Sequence, residues 1–175
     1  MSGGWVHDDG GRAAAGFKGS AGDCATRAIA IATGLPYQEA YGLVNEHAKR
    51  ERKGTKRRGM SNARTGVHKV TMQRVMAALG WQWTPTMRIG QGCTVHLTAD
   101  ELPAGRIIVS LSRHYAAVID GVVYDTHDPR RETHYVRSGG GGAGGPPELR
   151  PGEWRNSNGI CGVSRRCVYG YWSRT

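Results

Sequence analysis

The sequence predicts an α+β fold, with N-terminal helices packed on an antiparallel β-sheet. Three observations carry that expectation. Apolar residues recur at helical i, i+3, i+4 spacing between positions 24 and 79. From Trp81 onward the apolar runs are short, β-branched or alternating, as strands require. Asp120-Gly121, flanked by YAAVI and VVYDT, is the strongest short hairpin signal a sequence offers. Helices first and strands afterwards is an α+β order, unlike the alternation of a parallel α/β sheet.

The elements follow in order. CATRAIAIATG (24–34) places apolar residues at 25, 28, 29, 31 and 32, with Asp23 as a suitable N-cap and Gly34 as a stop. A second helix starts at Leu35-Pro36, proline being tolerated in a first turn, and sets Tyr37, Ala40, Tyr41, Val44 and Ala48 on one face. A third, about Gly66 to Leu79, is expected to bury Val67, Val70, Val75, Ala78 and Leu79 before Gly80. The expected strands are WQWT (81–84), RIIVSL (106–111), the two arms of the Asp120-Gly121 hairpin, and CVYGYW (167–172).

The 175 residues suit one domain with a substantial core. No apolar stretch approaches a membrane span, and the first twenty residues lack the apolar centre of a secretion signal. Four cysteines with no CxxC pair argue for reduced thiols, hence a cytoplasmic protein that needs no cofactor. Glycine is concentrated in residues 3–22, with seven, and 139–145, with six. Residues 1–21 therefore read as a flexible Gly-rich arm ahead of a single domain, 22–175, and residues 138–147 as a Gly/Pro-rich surface insertion within it.

Charge is uneven as well. Lys and Arg total 24 against 14 Asp and Glu, a balance of +10. The segment 49–58 supplies +6 of this through Lys49, Arg50, Arg52, Lys53, Lys56, Arg57 and Arg58, against Glu51. These seven residues are the candidates for nonspecific nucleic-acid binding, although no aromatics interleave them for base stacking.

Cys24 carries the chemical signal. It falls in the first turn of the first helix, where unbonded N–H groups and the helix dipole stabilise a thiolate. Gly22 just before it permits close approach of another backbone. A cysteine nucleophile needs a base, and among the histidines His114 stands apart by opening a hairpin strand beside apolar neighbours. His7, His47, His68, His127 and His134 read instead as loop or polar-face residues. A two-residue turn pairs Ile119 with Val122, which sets Asp125 opposite Ala116 and on the face of His114. Asp125 can then orient the imidazole; Asp128 has the opposite parity and lies past the strand end. A small buried cysteine and a structural His–Asp pair is the plainer account of the same residues.

The segments GDCATRAIAIATG (22–34), GWQWTPTM (80–87), IGQGCTVHL (89–97), ELPAGR (101–106), SRHYAAVIDGVVYDTHDP (112–129) and RCVYGYW (166–172) together resemble a family of small papain-like cysteine peptidases of phages and bacteria. The resemblance implies a papain-like fold and a hydrolase that cleaves an amide, isopeptide or thioester bond in a polypeptide or protein conjugate. It makes Cys24 the nucleophile, His114 the general base and then acid, and Asp125 the orienting residue, in the host cytoplasm if the chain is phage-encoded. The family's usual oxyanion-hole Gln is replaced here by Lys18. The backbone N–H of Cys24 supplies one donor, with Lys18 or Ser20 as candidates for the second. Loss of such a donor costs ~10²–10³ in turnover. The alternative is a basic phage protein that binds nucleic acid or peptide and keeps a vestigial triad.

Cys93-x-x-His96 with Cys161 and Cys167 spells a conceivable Cys₃His zinc site, but the C-x₅-C spacing is unusual. The sequence therefore implies no metal, and Cys93 and Cys167 as buried strand residues.

Overall fold

In a computed structural model of the chain, the structure describes residues 4–51, 59–130 and 165–174. The chain divides into two units, Met1–Pro129 with Cys167–Thr175, and Arg130–Arg166. Everything below concerns the first. The insertion 138–147 and residues 52–58 of the basic segment lie outside the described residues.

Three helices pack on a six-stranded mixed sheet. In chain order the elements are β1 (Trp5–His7), α1 (Cys24–Thr33), α2 (Tyr37–Ala48), α3 (Lys69–Ala78), β2 (Gln82–Pro85), β3 (Arg106–Leu111), β4 (His114–Ile119), β5 (Val122–Asp125) and β6 (Gly170–Ser173). The strands lie in the order β1-β5-β4-β3-β6-β2. The expectation of a wholly antiparallel sheet is corrected at one edge, where β1 runs parallel to β5. That edge also corrects the reading of residues 1–21 as a loose arm. Trp5 and Val6 pair with Val123 and Tyr124, and Arg12 forms an ion pair with buried Asp23. Composition had flagged glycines, but here they turn the backbone: Gly10 and Gly11 have positive φ, with Asp8 and Asp9 carboxylates accepting from their N–H groups.

The sheet alternates as strand geometry requires. Ile108 on β3, Ala117 on β4 and Trp172 on β6 face the helices and join Ile29, Val44, Met72, Val75 and Met76 in one core. Ile107, Val109, Ala116, Val118 and Val123 face the other way and pack with Leu97, Leu102 and Val168. The β4–β5 hairpin has Ile119 opposite Val122 and Val118 opposite Val123. Asp120 and Gly121 both have positive φ, the geometry of a type I′ turn.

Two local expectations fail for packing reasons. On α3, Val70 is 55% exposed and Ala78 is also exposed, while Thr71, Met72, Val75 and Met76 are buried. The core needs the side carrying the two methionines, and a short helix tolerates one exposed valine. The reading of four reduced thiols also fails: Cys93 and Cys167 form a disulfide with Cα atoms 5.8 Å apart. Cys93 is exposed rather than a buried strand residue. The bridge between His96 and Cys167 brings the two cysteines together across 74 residues of sequence, and it leaves neither as a zinc ligand. Disulfides persist mainly in oxidising compartments, so the cytoplasmic expectation loses the thiol argument on which it rested. Among the described residues, no helix is long and apolar enough to cross a membrane.

Candidate active site

Cys24 is the first residue of α1, and two features of the sequence set it there. Gly34 adopts the left-handed conformation that ends the helix and returns its N–H to the Ala30 carbonyl. At the other end, a Cβ on Gly22 would stand 3.1 Å from the Thr65 carbonyl oxygen, and the Gly22 N–H donates to Arg64. The 61–68 loop can thus lie directly against the approach to Cys24. It is held there by the Thr26 hydroxyl on the Ala63 carbonyl and by the Asn45 side chain on the Ala63 N–H.

Asp23 occupies the N-cap position without capping the helix. It is fully buried and accepts from the Tyr37 hydroxyl at 2.5 Å, with Arg12 at 3.1 Å and Arg27 at 3.3 Å. Removing a carboxylate from water is tolerable only with such a set of partners. The carboxylate therefore acts as an anchor joining the N-terminal segment, α1 and α2. Sequence reasoning gave it the commonest role of an aspartate before a helix and missed the buried one.

His114 and Asp125 meet as the hairpin register implies. His114 is the first residue of β4, Asp125 the last of β5, and the imidazole Nε2 lies 2.5 Å from an Asp125 carboxylate oxygen. Both side chains are nearly buried, at 10% and 3% exposure. Asp125 is tied further by the Thr126 N–H and by Arg27 at 3.7 Å. Asp128 is exposed. With Nε2 committed to Asp125, Nδ1 is the ring nitrogen left for Cys24.

The electrostatics reinforce one another. Burial opposes ionisation of the Cys24 thiol, but the hydrogen bond and charge of His114, the N–H of Tyr115 and the charge of Arg27 outweigh it. The thiol is accordingly held below its ordinary value. Burial likewise opposes charging His114, yet the hydrogen bonds to Asp125 and Cys24 raise it from 6.5 to about 9. Asp125 is lowered: burial works against this, and His114, the Thr126 N–H and His127 reverse it. The three groups favour a thiolate, an imidazolium and a carboxylate in a row. Such a row can supply a nucleophile, a proton donor and its orienting partner.

A cleft of about 900 Å³ opens on Cys24 and His114. Its walls are Ala21 and Gly22 before α1, residues 65–69 leading into α3, Leu111, Arg113 and Tyr115 around the β3–β4 turn, and Thr126-His127. Lys18 and Ser20, the candidate second oxyanion donors, are exposed and do not line it. The carbonyl of Lys18 accepts from Arg12 and Arg64. The first N–H groups of α1 have no intrahelical carbonyl to take them, and Cys24, which carries the first of them, lines the cleft.

Two residues near the triad were not singled out from sequence. Arg27 links Asp23 to Asp125 and so ties the start of α1 to the end of β5. A lone arginine in an otherwise Ala/Ile helix, three residues after Cys24, was the available signal. His127 has its Nδ1 3.9 Å from Asp125 and its ring centroid 4.9 Å from that of His114, with the side chain 60% exposed. Donor atoms of His114, Asp125 and His127 lie within 4.8 Å of one another, a spacing a metal would accept. Two of the three are already engaged with each other.

His47, expected on a polar face, is buried in α2. His96 pairs with Glu101 at 3.0 Å and is structural. Of the basic segment, Lys49 and Arg50 are exposed at the end of α2, and Arg52, Lys53, Lys56, Arg57 and Arg58 lie outside the described residues. Glu51, its one acid, accepts from the Ser61 N–H and the Thr71 hydroxyl and so holds the loop that walls the cleft. Comparison with family models, curated proteins and solved structures returned no match.

Proposed function

We propose that the protein is a cysteine hydrolase of papain-like type, acting on an amide, isopeptide or thioester bond of a polypeptide through an acyl-enzyme on Cys24. The observation that carries this reading is the continuous Cys24–His114–Asp125 relay at the floor of an open cleft. A structural His–Asp pair alone has no reason to end on a helix-terminal thiol held below its ordinary pKa beside 900 Å³ of accessible space.

In this reading the Cys24 thiolate attacks the carbonyl carbon and forms the S–C bond. The carbonyl π pair moves onto oxygen and is stabilised by first-turn N–H groups of α1, including that of Cys24. The tetrahedral intermediate collapses, the bond to the leaving group breaks, and the imidazolium of His114 gives its proton to that group. Neutral His114 then takes a proton from water, whose oxygen attacks the thioester; the acid leaves, the S–C bond breaks, and the thiolate–imidazolium pair is restored. Asp125 stays ionised throughout and fixes the ring through Nε2.

Hydrolysis of a fluorogenic peptide and of a peptide thioester tests the reading. Cys24→Ala and His114→Ala should each abolish turnover, with Asp125→Ala leaving a measurable residue and Asp128→Ala doing least. Turnover that survives Cys24→Ala would remove the proposal. Binding of nucleic acid through Lys49, Arg50 and residues 52–58 is separable from it: such binding would fall with salt and be unchanged by Cys24→Ala.

A further inference from the structure

The cleft is one-sided in charge. Among the described residues, its lining includes Arg27, Lys69, Arg113, His68, His114 and His127, and not one aspartate or glutamate. Most of these side chains have a partner. Arg27 is held by Asp23 and Asp125, Lys69 stands over the Trp83 ring at 4.9 Å, His68 Nε2 meets the Gly59 carbonyl, and His127 faces Asp125. Arg113 is exposed on the cleft wall and has no ion pair among the described residues.

Its backbone adds an independent observation. Leu111 pairs with His114, so Ser112 and Arg113 form a two-residue turn, and Arg113 has φ 56. That left-handed position is one where glycine or asparagine is favoured and an arginine is strained. Strain of this kind persists where the side chain has a use. The turn also hands the chain directly to His114, so the guanidinium is rooted one residue from the imidazole.

We infer that Arg113 is a specificity-determining residue that receives a carboxylate of the substrate, and that the cleft takes an acidic polypeptide segment. This rests on the hydrolase reading for the identity of the bond cleaved, but the recognition itself needs only the cleft. A guanidinium offers a planar fork matched to a carboxylate, and among the described residues that line the cleft no acid competes for it. The first-turn N–H groups of α1 add partial positive charge at the same end of the cleft.

The test is binding, which does not depend on turnover. Fluorescence anisotropy with full-length Cys24→Ala protein would compare three labelled peptides of equal length carrying Glu, Gln or Lys, and a single-stranded oligonucleotide matching the Glu peptide in charge. The Glu peptide should bind about ten-fold tighter than the Gln peptide. Arg113→Asn should remove that preference while leaving thermal stability equal or higher, because asparagine tolerates the left-handed turn. A purely structural arginine would give the opposite pair of results. Arg88→Asn, the same charge change at an exposed site outside the cleft, should leave the preference intact. Equal binding of Glu and Gln peptides, or equal losses from Arg88→Asn and Arg113→Asn, would overturn the inference. So would oligonucleotide binding that exceeds the peptide's and disappears with Arg113. Failure of Cys24 to react, by contrast, would remove the hydrolase reading and leave this anisotropy result standing.

Discussion

Replacing Asp125 by Asn keeps its shape and removes the charge that holds His114 protonated. The rise of His114 from 6.5 to about 9 corresponds to about 3 kcal/mol of preferential stabilisation of the imidazolium. Asp125 is the first of the groups that raise it and Cys24 the second, so the substitution should remove a substantial part of this, about 1–3 kcal/mol. The His114 side chain is only 10% exposed, so little of this is screened by solvent. The sign follows from the direction of the shift. His114 binds its proton more tightly folded than unfolded, so the stabilisation is fully present below about 6.5 and is lost as pH rises through about 9. Urea unfolding of wild type and Asp125→Asn from pH 5.5 to 10 should therefore show a gap that is widest at the acid end and narrows by about 1–3 kcal/mol as pH rises through about 9, leaving the pH-independent cost of the lost Arg27 contact. An imidazole NMR titration should place His114 near 9 in wild type and markedly lower in the variant. A constant gap across the range, or wild-type His114 titrating near 6.5, would refute the electrostatic reasoning.

Other expected outcomes concern the scaffold. Asp23→Asn keeps an N-capping residue but uncharges the partner of Arg12 and Arg27; it should cost ~3–5 kcal/mol, as breaking a buried ion pair does, rather than the near-zero change expected if Asp23 served only as a cap. Thermal or urea melting distinguishes the two. Gly170→Ala would drive a Cβ to 2.3 Å from the Trp83 ring and 2.7 Å from the Thr84 carbonyl at φ 154. It should therefore lower stability by roughly 3 kcal/mol or more, and a neutral effect would show that β6 and β2 do not pair as described. Reducing the Cys93–Cys167 disulfide opens a loop spanning 74 residues. It should lower stability by up to ~4 kcal/mol while leaving Cys24 reactivity unchanged at temperatures where the protein stays folded. Equal melting with and without reductant would show the bond to be absent in solution.

Local rules made much of the site legible. The i, i+3, i+4 spacing and Gly34 delimited α1, and so placed Cys24 in its first turn. The Asp120-Gly121 turn fixed the β4–β5 register, and that register put Asp125 beside His114. What escaped depends on partners distant in sequence. Asp23 reads as a cap until Arg12, Tyr37 and Arg27 surround it, and nothing local announces a buried carboxylate. Cys93 and Cys167 are far apart in the chain and join only because the chain returns after its long excursion to insert β6 between β3 and β2. Trp5–His7 is too short for a periodic signal, and its pairing with β5 is set by the edge that the hairpin leaves open. Val70 shows the limit of pattern reading on a short helix: the methionines filled the core, and the β-branched residue was left outside.

The central claim is that Cys24 is a thiolate poised beside His114, and alkylation measures it directly. The native protein would be treated with limiting iodoacetamide at pH 6 and the modified cysteines mapped by mass spectrometry. Cys93 and Cys167 are protected by their disulfide, so Cys161 is the internal reference. The account predicts fast modification of Cys24 at pH 6, well below the ordinary thiol pKa of ~8.5, a rate much reduced in His114→Ala, and equal modification of Cys24 and Cys161 in denaturant. Modification of Cys24 no faster than Cys161 in the folded protein, rising only as pH passes ~8.5, would contradict it.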